Sequence, residues 1–466
     1  SASTSAWIKP ATTGTIKNVD IRHFRALDLN VNALDTINLT NADGDIKFNN
    51  TGTTLTTLDI TLQDSDSSFS ESANMLKTIN IHNTDDSRFY TLDAKNVETL
   101  NIDGTGKLGI SVVSFFDSFS KLDSLRQINV SDAIAFSADV SNLQVLNFDA
   151  SKSTGGSFPG SLNGSTINGL MTNYLGGSGA DSVTARNGIS KNITLGAGND
   201  LLKITSISQI GNTAQIDGGS GTDILWLDRQ STTAFSANGI NQVTGFETLY
   251  LRDSYVEFSQ AQSWDLANFS DQTEVALFGS NGFTLTNWNQ SASLGLLKAG
   301  KSYTIENPSF ATGSNDTLSI LLHSQQAQVY ASEGIRADGV ENIRIARGEK
   351  PGYIDNYEEY SNTSSNPVAQ LTLLGNDLKT ITLTGKSTQY ELSAASSALS
   401  SLDASAVAGG ALKFTAGSLT AAISVKGVAN GNNTLNLSAA TKGITYTGGA
   451  GADDITLGSG NNIISV

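Results

Sequence analysis

One six-residue unit recurs along the chain: apolar, two variable residues, apolar, polar, apolar. It reads Leu34-Asp-Thr-Ile37-Asn-Leu39, Leu55-Thr-Thr-Leu58-Asp-Ile60, Leu76-Lys-Thr-Ile79-Asn-Ile81, Val97-Glu-Thr-Leu100-Asn-Ile102, Leu125-Arg-Gln-Ile128-Asn-Val130 and Leu143-Gln-Val-Leu146-Asn-Phe148. The starts lie 21 residues apart three times, then 28 and 18 apart. Apolar–polar–apolar alternation is a strand signal, with side chains pointing in, out and in. A hairpin returns within about two to five residues, so one short strand per period cannot pair with its neighbour that way. A parallel solenoid needs one equivalent strand at a constant period, each turn stacking on the last over a ladder of inward Leu and Ile. A leucine-rich horseshoe is the alternative. Against it, the intervening segments are rich in Ser, Thr, Asp and Gly and lack a helical period. The unit returns at Phe246-Glu-Thr-Leu249-Tyr-Leu251, Val340-Glu-Asn-Ile343-Arg-Ile345, Leu378-Lys-Thr-Ile381-Thr-Leu383 and, mostly, Leu399-Ser-Ser-Leu402-Asp-Ala404. The expected fold is all-β, a right-handed parallel β-helix or β-solenoid, continuing with interruptions to the C-terminal end.

Composition narrows the function classes. The 466 residues carry 28 Lys+Arg against 44 Asp+Glu, a net charge of −16. Nucleic-acid binding is not expected, because phosphate contacts need clustered Lys and Arg. Cys is absent, which removes disulfides, thiolate metal sites and a Cys nucleophile. No apolar run approaches the roughly 18 residues of a membrane span; the longest is Ile110 to Phe116. The start, Ser1-Ala-Ser-Thr-Ser5, has neither an initiator Met nor a signal pattern, which reads as a fragment or a processed piece. An enzyme is not expected. The chain has three His and no His-Glu-x-x-His, phosphate-binding loop or nucleophile elbow. Two Arg groups, Arg22 with Arg25 and Arg336 with Arg344 and Arg347, are the candidates for a carbohydrate-cleaving cluster, and nothing in the sequence fixes their geometry.

A second repeat is glycine-rich. Its copies are Gly176-Gly-Ser-Gly-Ala-Asp181, Leu195-Gly-Ala-Gly-Asn-Asp200, Gly218-Gly-Ser-Gly-Thr-Asp223 and Gly448-Gly-Ala-Gly-Ala-Asp453. Gly313-Ser-Asn-Asp316-Thr-Leu318 is a remnant. Each nonapeptide is a turn followed by a very short strand. Glycines (Gly177, Gly179, Gly196, Gly198, Gly219, Gly221, Gly449 and Gly451) allow positive φ and bring main-chain oxygens inside the turn. The Asp adds charged oxygen. Calcium takes six to eight hard oxygens at about 2.4 Å, more than one loop supplies, and two stacked loops supply enough. A single copy would read as a strand cap without metal. Three copies, 19 and 23 residues apart, point to calcium between the Asp181 and Asp200 loops and between the Asp200 and Asp223 loops. Asp453 faces Asn433, so a site there is expected to be weaker. Asn41-Ala-Asp43-Gly44-Asp45 and Asp64-Ser-Asp66 are lesser candidates. Gly348 to Pro367, with Asp355, Glu358 and Glu359, reads as a surface loop, and a short helix is expected near Trp264 to Phe269.

At its nonapeptides the chain resembles the RTX (repeats-in-toxin) proteins. From about Tyr174 to Asn462 the order of landmarks is similar to that in calcium-dependent bacterial surface-layer proteins of the Caulobacter type. Those landmarks are the three glycine loops, Gly245-Phe-Glu-Thr-Leu249, Asp338-Gly-Val-Glu-Asn-Ile343, Leu402-Asp-Ala-Ser-Ala-Val407 and the Asp453 loop. The resemblance implies export by a type I system with an uncleaved C-terminal signal and folding outside the cell on calcium. It also implies self-assembly into a two-dimensional lattice, anchored to lipopolysaccharide or another surface glycan by a domain this sequence lacks, without membrane insertion. An RTX adhesin segment, a calcium-rigidified spacer or binding module, is the alternative. The expected divisions are a solenoid at 1–172, calcium turns at 173–228, an irregular β region at 229–365, a second solenoid block at 366–447 and the start of a second glycine block at 448–466.

Overall fold

The computed structural model describes residues 5–8, 15–31, 33–50, 54–110, 122–138, 140, 143–156, 165–168, 171–186, 192–204, 214–229, 242–253, 262–267, 269, 271–279, 282–297, 300–323, 328–347, 368–386 and 389–466. Every strand pairing among them is parallel, and the fold is a β-solenoid. Among the described residues the only helix is the single 3-10 turn Pro308–Ala311. None is long and apolar enough to cross a membrane. Contacts divide the chain into two compact units, one reaching Leu227 and including the strand Gln242–Thr244, the other running from Glu247 to Val466.

In the first unit the six-residue pattern forms the strands of an eleven-stranded sheet that begins Asn18–Arg22, Thr36–Thr40, Thr57–Gln63, Thr78–Asn83 and Thr99–Gly104. Leu58, Ile79, Leu100 and Ile128 stack in register and are fully buried. The polar residues between them face outward and form their own ladder. Asn80 Nδ2 donates to Asp59 Oδ1 at 2.6 Å, Asn101 to Asn80 at 2.8 Å and Asn129 to Asn101 at 2.7 Å. Each turn then bends at a corner and makes a second strand, which the sequence reading did not resolve. Thr57–Gln63 is followed by Asp66–Glu71 and Thr78–Asn83 by Ser87–Asp93, in a second, seven-stranded sheet. The missed strands carry Ser, Asp and Arg among their apolar residues, which dilutes the alternation.

Two registers differ from the sequence reading. Ile37 pairs with Ile60 rather than Leu58, and Phe148 rather than Leu146 pairs with Ile128. Leu146 is exposed while Val145 is buried, so the repeat there starts at Val145. Side chains alternate with period two, so a slip of two residues leaves the alternation within the strand looking intact.

The second unit repeats the design. One sheet includes Thr248–Asp253, Glu274–Phe278, Ser293–Leu296, Thr317–Leu322, Asn342–Arg347 and Thr380–Lys386. The other includes Val368–Leu374, Gln389–Ala394, Ala411–Ala416, Asn433–Asn436 and Asp453–Thr456. Trp264, expected on a short helix, lies in the strand Gln262–Asp265 and is fully buried. Its neighbours Phe283 and Leu285 are also inward, so packing on a flat sheet overrides local helix preference. The 348–367 loop and most of the run Ile110 to Phe116 lie outside the described residues.

Inward and outward positions should respond differently to truncation. Ile79→Ala should lower stability by about 2–4 kcal/mol through lost burial and a cavity. Outward Asn80→Ala should cost less than about 1 kcal/mol, the scale of one exposed hydrogen bond. Urea unfolding of both variants checks this, and equal losses would contradict the assigned faces.

Candidate metal centre

The three N-proximal glycine loops are corners of the first unit. Strand Asn173–Leu175 leads through Gly176 to Asp181 into Ser182–Arg186. Asn192–Thr194 leads through Leu195 to Asp200 into Leu201–Ile204, and Gln215–Asp217 through Gly218 to Asp223 into Ile224–Arg229. The flanking strands pair in register, Tyr174 with Ile193 with Ile216 and Val183 with Leu202 with Leu225. The loops therefore stack one strand spacing, about 4.8 Å, apart. The stack is tight: a Cβ on Gly196, Gly219 or Gly221 would collide with the main-chain oxygen of Gly177, Gly196 or Gly198 in the loop before.

Positive φ holds in two of the loops, at Gly196 (103°), Gly198 (135°), Gly219 (97°) and Gly221 (147°). Gly177, Gly179, Gly449 and Gly451 do not adopt it. Glycine is required there by close approach alone: a Cβ on each would meet a main-chain atom of the turn before it.

The carboxylates point inward. Asp181, Asp200 and Asp223 are 5%, 1% and 0% exposed. The Asp181 N–H donates to Asp200 Oδ1, and the Asp200 N–H to Asp223 Oδ1, each at 2.7 Å. Asp200 Oδ2 is buried with no hydrogen-bond donor. Burial, together with the charges of Asp181 and Asp223, pushes the Asp200 carboxyl up to about 7 against the N–H bond that lowers it. The Tyr174 phenol is raised well above its ordinary value, first by burial and then by Asp181 and Asp200. A buried carboxylate with an empty oxygen requires a proton or a cation. Among the described residues no three His, Asp or Glu side chains converge as a metal-binding group. A cation here would therefore complete its shell with main-chain and water oxygens, which suits hard calcium. The residues present fit that ion.

At Ser65 and Ser396 the same kind of corner is closed by a hydrogen-bond donor. Ser65, fully buried, donates to the Gln63 main-chain oxygen at 2.9 Å, and Ser396 to that of Leu378 at 2.8 Å. This accounts for the lesser candidates. Asp43, Asp45, Asp64 and Asp66 are exposed and turn away from the corner, and the Ser65 hydroxyl fills the interior.

The Asp453 loop belongs to the second unit and is closed in the same fashion. Asn433, 0% exposed, donates from Nδ2 to Asp453 Oδ1 at 2.8 Å and to the main-chain oxygens of Val428 and Gly431 at 3.3 Å. The Tyr446 hydroxyl donates to Asp453 Oδ2 at 2.7 Å. Both oxygens of Asp453 thus already accept hydrogen bonds. Tyr446 was missed in the sequence. Its signal is an aromatic residue seven before the Asp, the place Tyr174 holds relative to Asp181.

Among the Arg candidates, Arg22, Arg25 and Arg344 are exposed, and Arg336 pairs with Asp338 at 3.3 Å. No protein-family model and no curated protein sequence matches the chain.

The raised Asp200 carboxyl sets a pH dependence. Between about pH 4 and 7 the folded state holds a proton on Asp200 that the unfolded chain has released. Raising pH through that window should therefore lower the stability of the protein in EDTA, and Asp200→Asn should flatten the slope. Urea unfolding in EDTA at pH 5 and pH 8 measures it; stability rising with pH to the same extent in both proteins would contradict the assignment.

Proposed function

We propose that the chain is a calcium-dependent structural protein of the bacterial cell surface that folds outside the cell and assembles with copies of itself into a two-dimensional layer. The observation that carries the calcium part is Asp200. It is buried between the Asp181 and Asp223 turns, has one oxygen without a donor, and sits in a corner that at Ser65 and Ser396 holds a hydroxyl donor instead. The resemblance of the ordered landmarks to surface-layer proteins supports the assembly part. Stacked parallel turns with polar outward ladders suit a rigid building element. Export before folding follows from affinity: extracellular calcium modules bind at about 10⁻⁴–10⁻³ M, well above cytosolic calcium, so the ladder stays open inside the cell.

In EDTA at neutral pH the protein should melt at a lower temperature and no ordered arrays should form; millimolar calcium should restore both, the arrays seen by electron microscopy. Asp200→Asn should shift the calcium midpoint at least about tenfold, the loss of one charged ligand. Unchanged thermal stability in EDTA would contradict the calcium reading. A calcium-bound monomer that forms no arrays and binds glycans would favour the adhesin reading.

A further inference from the structure

A second column of buried acids lies in the second unit, outside any intact glycine nonapeptide. Asp316 and Glu341 directly precede the strands Thr317–Leu322 and Asn342–Arg347, which pair in register from Thr317 with Asn342 onward. The two acids are 9% and 6% exposed. The Asp316 N–H donates to Glu341 Oε2 at 2.9 Å, the same bond that links Asp181 to Asp200 and Asp200 to Asp223.

The outer members of the column are donors. Gln290 Nε2 gives a hydrogen bond to Asp316 Oδ1 at 2.9 Å. Lys379 Nζ lies 3.7 Å from Glu341 Oε1 and is half exposed. One ammonium against two carboxylates leaves an excess negative charge. Asp316 Oδ2 remains buried without a donor and turns into its own Gly313 corner, where a Cβ on Gly313 would collide with it. Position two of the six-residue unit shows the contrast. Glu341 and Lys379 hold that position, as do Lys77 and Glu98 of the first unit. Lys77 and Glu98 are both about half exposed and pair at 2.6 Å, so water and the partner satisfy them.

We propose that Asp316 and Glu341 form a second divalent-cation site, with Asp316 Oδ2 as a direct ligand, Glu341 as the second carboxylate and the Gly313 corner supplying main-chain oxygen. The donor set is oxygen only, which selects calcium over transition metals. The site ties two successive turns of the second unit together, independently of the glycine ladder in the first.

The test is the calcium content of the full chain after dialysis against 1 mM calcium, with thermal stability read in calcium and in EDTA. Asp316→Asn should hold about one ion fewer than the native chain, and Glu341→Gln should bind that ion at least about tenfold more weakly. Asp200→Asn should retain the ion that Asp316→Asn loses, so failure of the ladder reading and failure of this site are distinguishable. Native calcium content in both Asp316→Asn and Glu341→Gln would overturn the proposal. So would an Asp316→Asn chain stabilised equally in calcium and EDTA, the mark of an acid relieved of burial alone. If Asp316→Asn lacks native near-UV dichroism, Glu341→Gln decides by the same readings.

Discussion

The rest of the structure depends on one constraint: each turn lies a single strand spacing above the last, about 4.8 Å. At that distance a side chain at a corner meets its counterpart one turn away and little else. Apolar counterparts make the inward ladders of Leu and Ile. A polar atom turned inward must find its partner in the turn above or below, because leaving it without one costs about 1–3 kcal/mol. The corners therefore sort by what fills them. Ser65, Ser396 and Asn433 fill theirs with donors. Asp181, Asp200 and Asp223 fill theirs with acceptors that repel one another.

This difference separates corners that close on their own from corners that need something added. A hydroxyl or amide is always present, so the Asn433 corner is complete as soon as its strands pair. The Asp200 corner is complete only with a proton or a cation. The carboxyl raised to about 7, first by burial and then by the charges of Asp181 and Asp223, is the same fact in electrostatic form: the folded corner resists holding a bare negative charge. On the calcium reading proposed above, the first unit is stable where calcium is abundant and strained where it is scarce. Glycine sharpens the effect, since Gly198 and Gly221 hold conformations that other residues rarely adopt.

Much of this was legible in the sequence, for identifiable reasons. Inward residues such as Ile79 and Leu100 show because alternation is a direct image of the pleat. The stacking of Asp181, Asp200 and Asp223 shows because glycine loops recur at nearly the strand period. Other features stayed hidden. The two-residue slips at Ile37 and Phe148 preserve alternation and so leave no trace. The second strand of each turn, as in Asp66–Glu71, mixes Ser and Asp with Phe69. The closure of the Asp453 loop by Tyr446 depends on a hydroxyl reaching across a corner, and the Asp316–Glu341 pair joins residues 25 apart that share no motif.

The most direct test of the account is anomalous X-ray scattering from crystals grown in calcium. Calcium peaks are expected between the Asp181 and Asp200 loops and between the Asp200 and Asp223 loops, with Asp200 Oδ2 in the coordination shell. A well-ordered ladder in millimolar calcium at pH 8, with no anomalous peak beside Asp200, would contradict it.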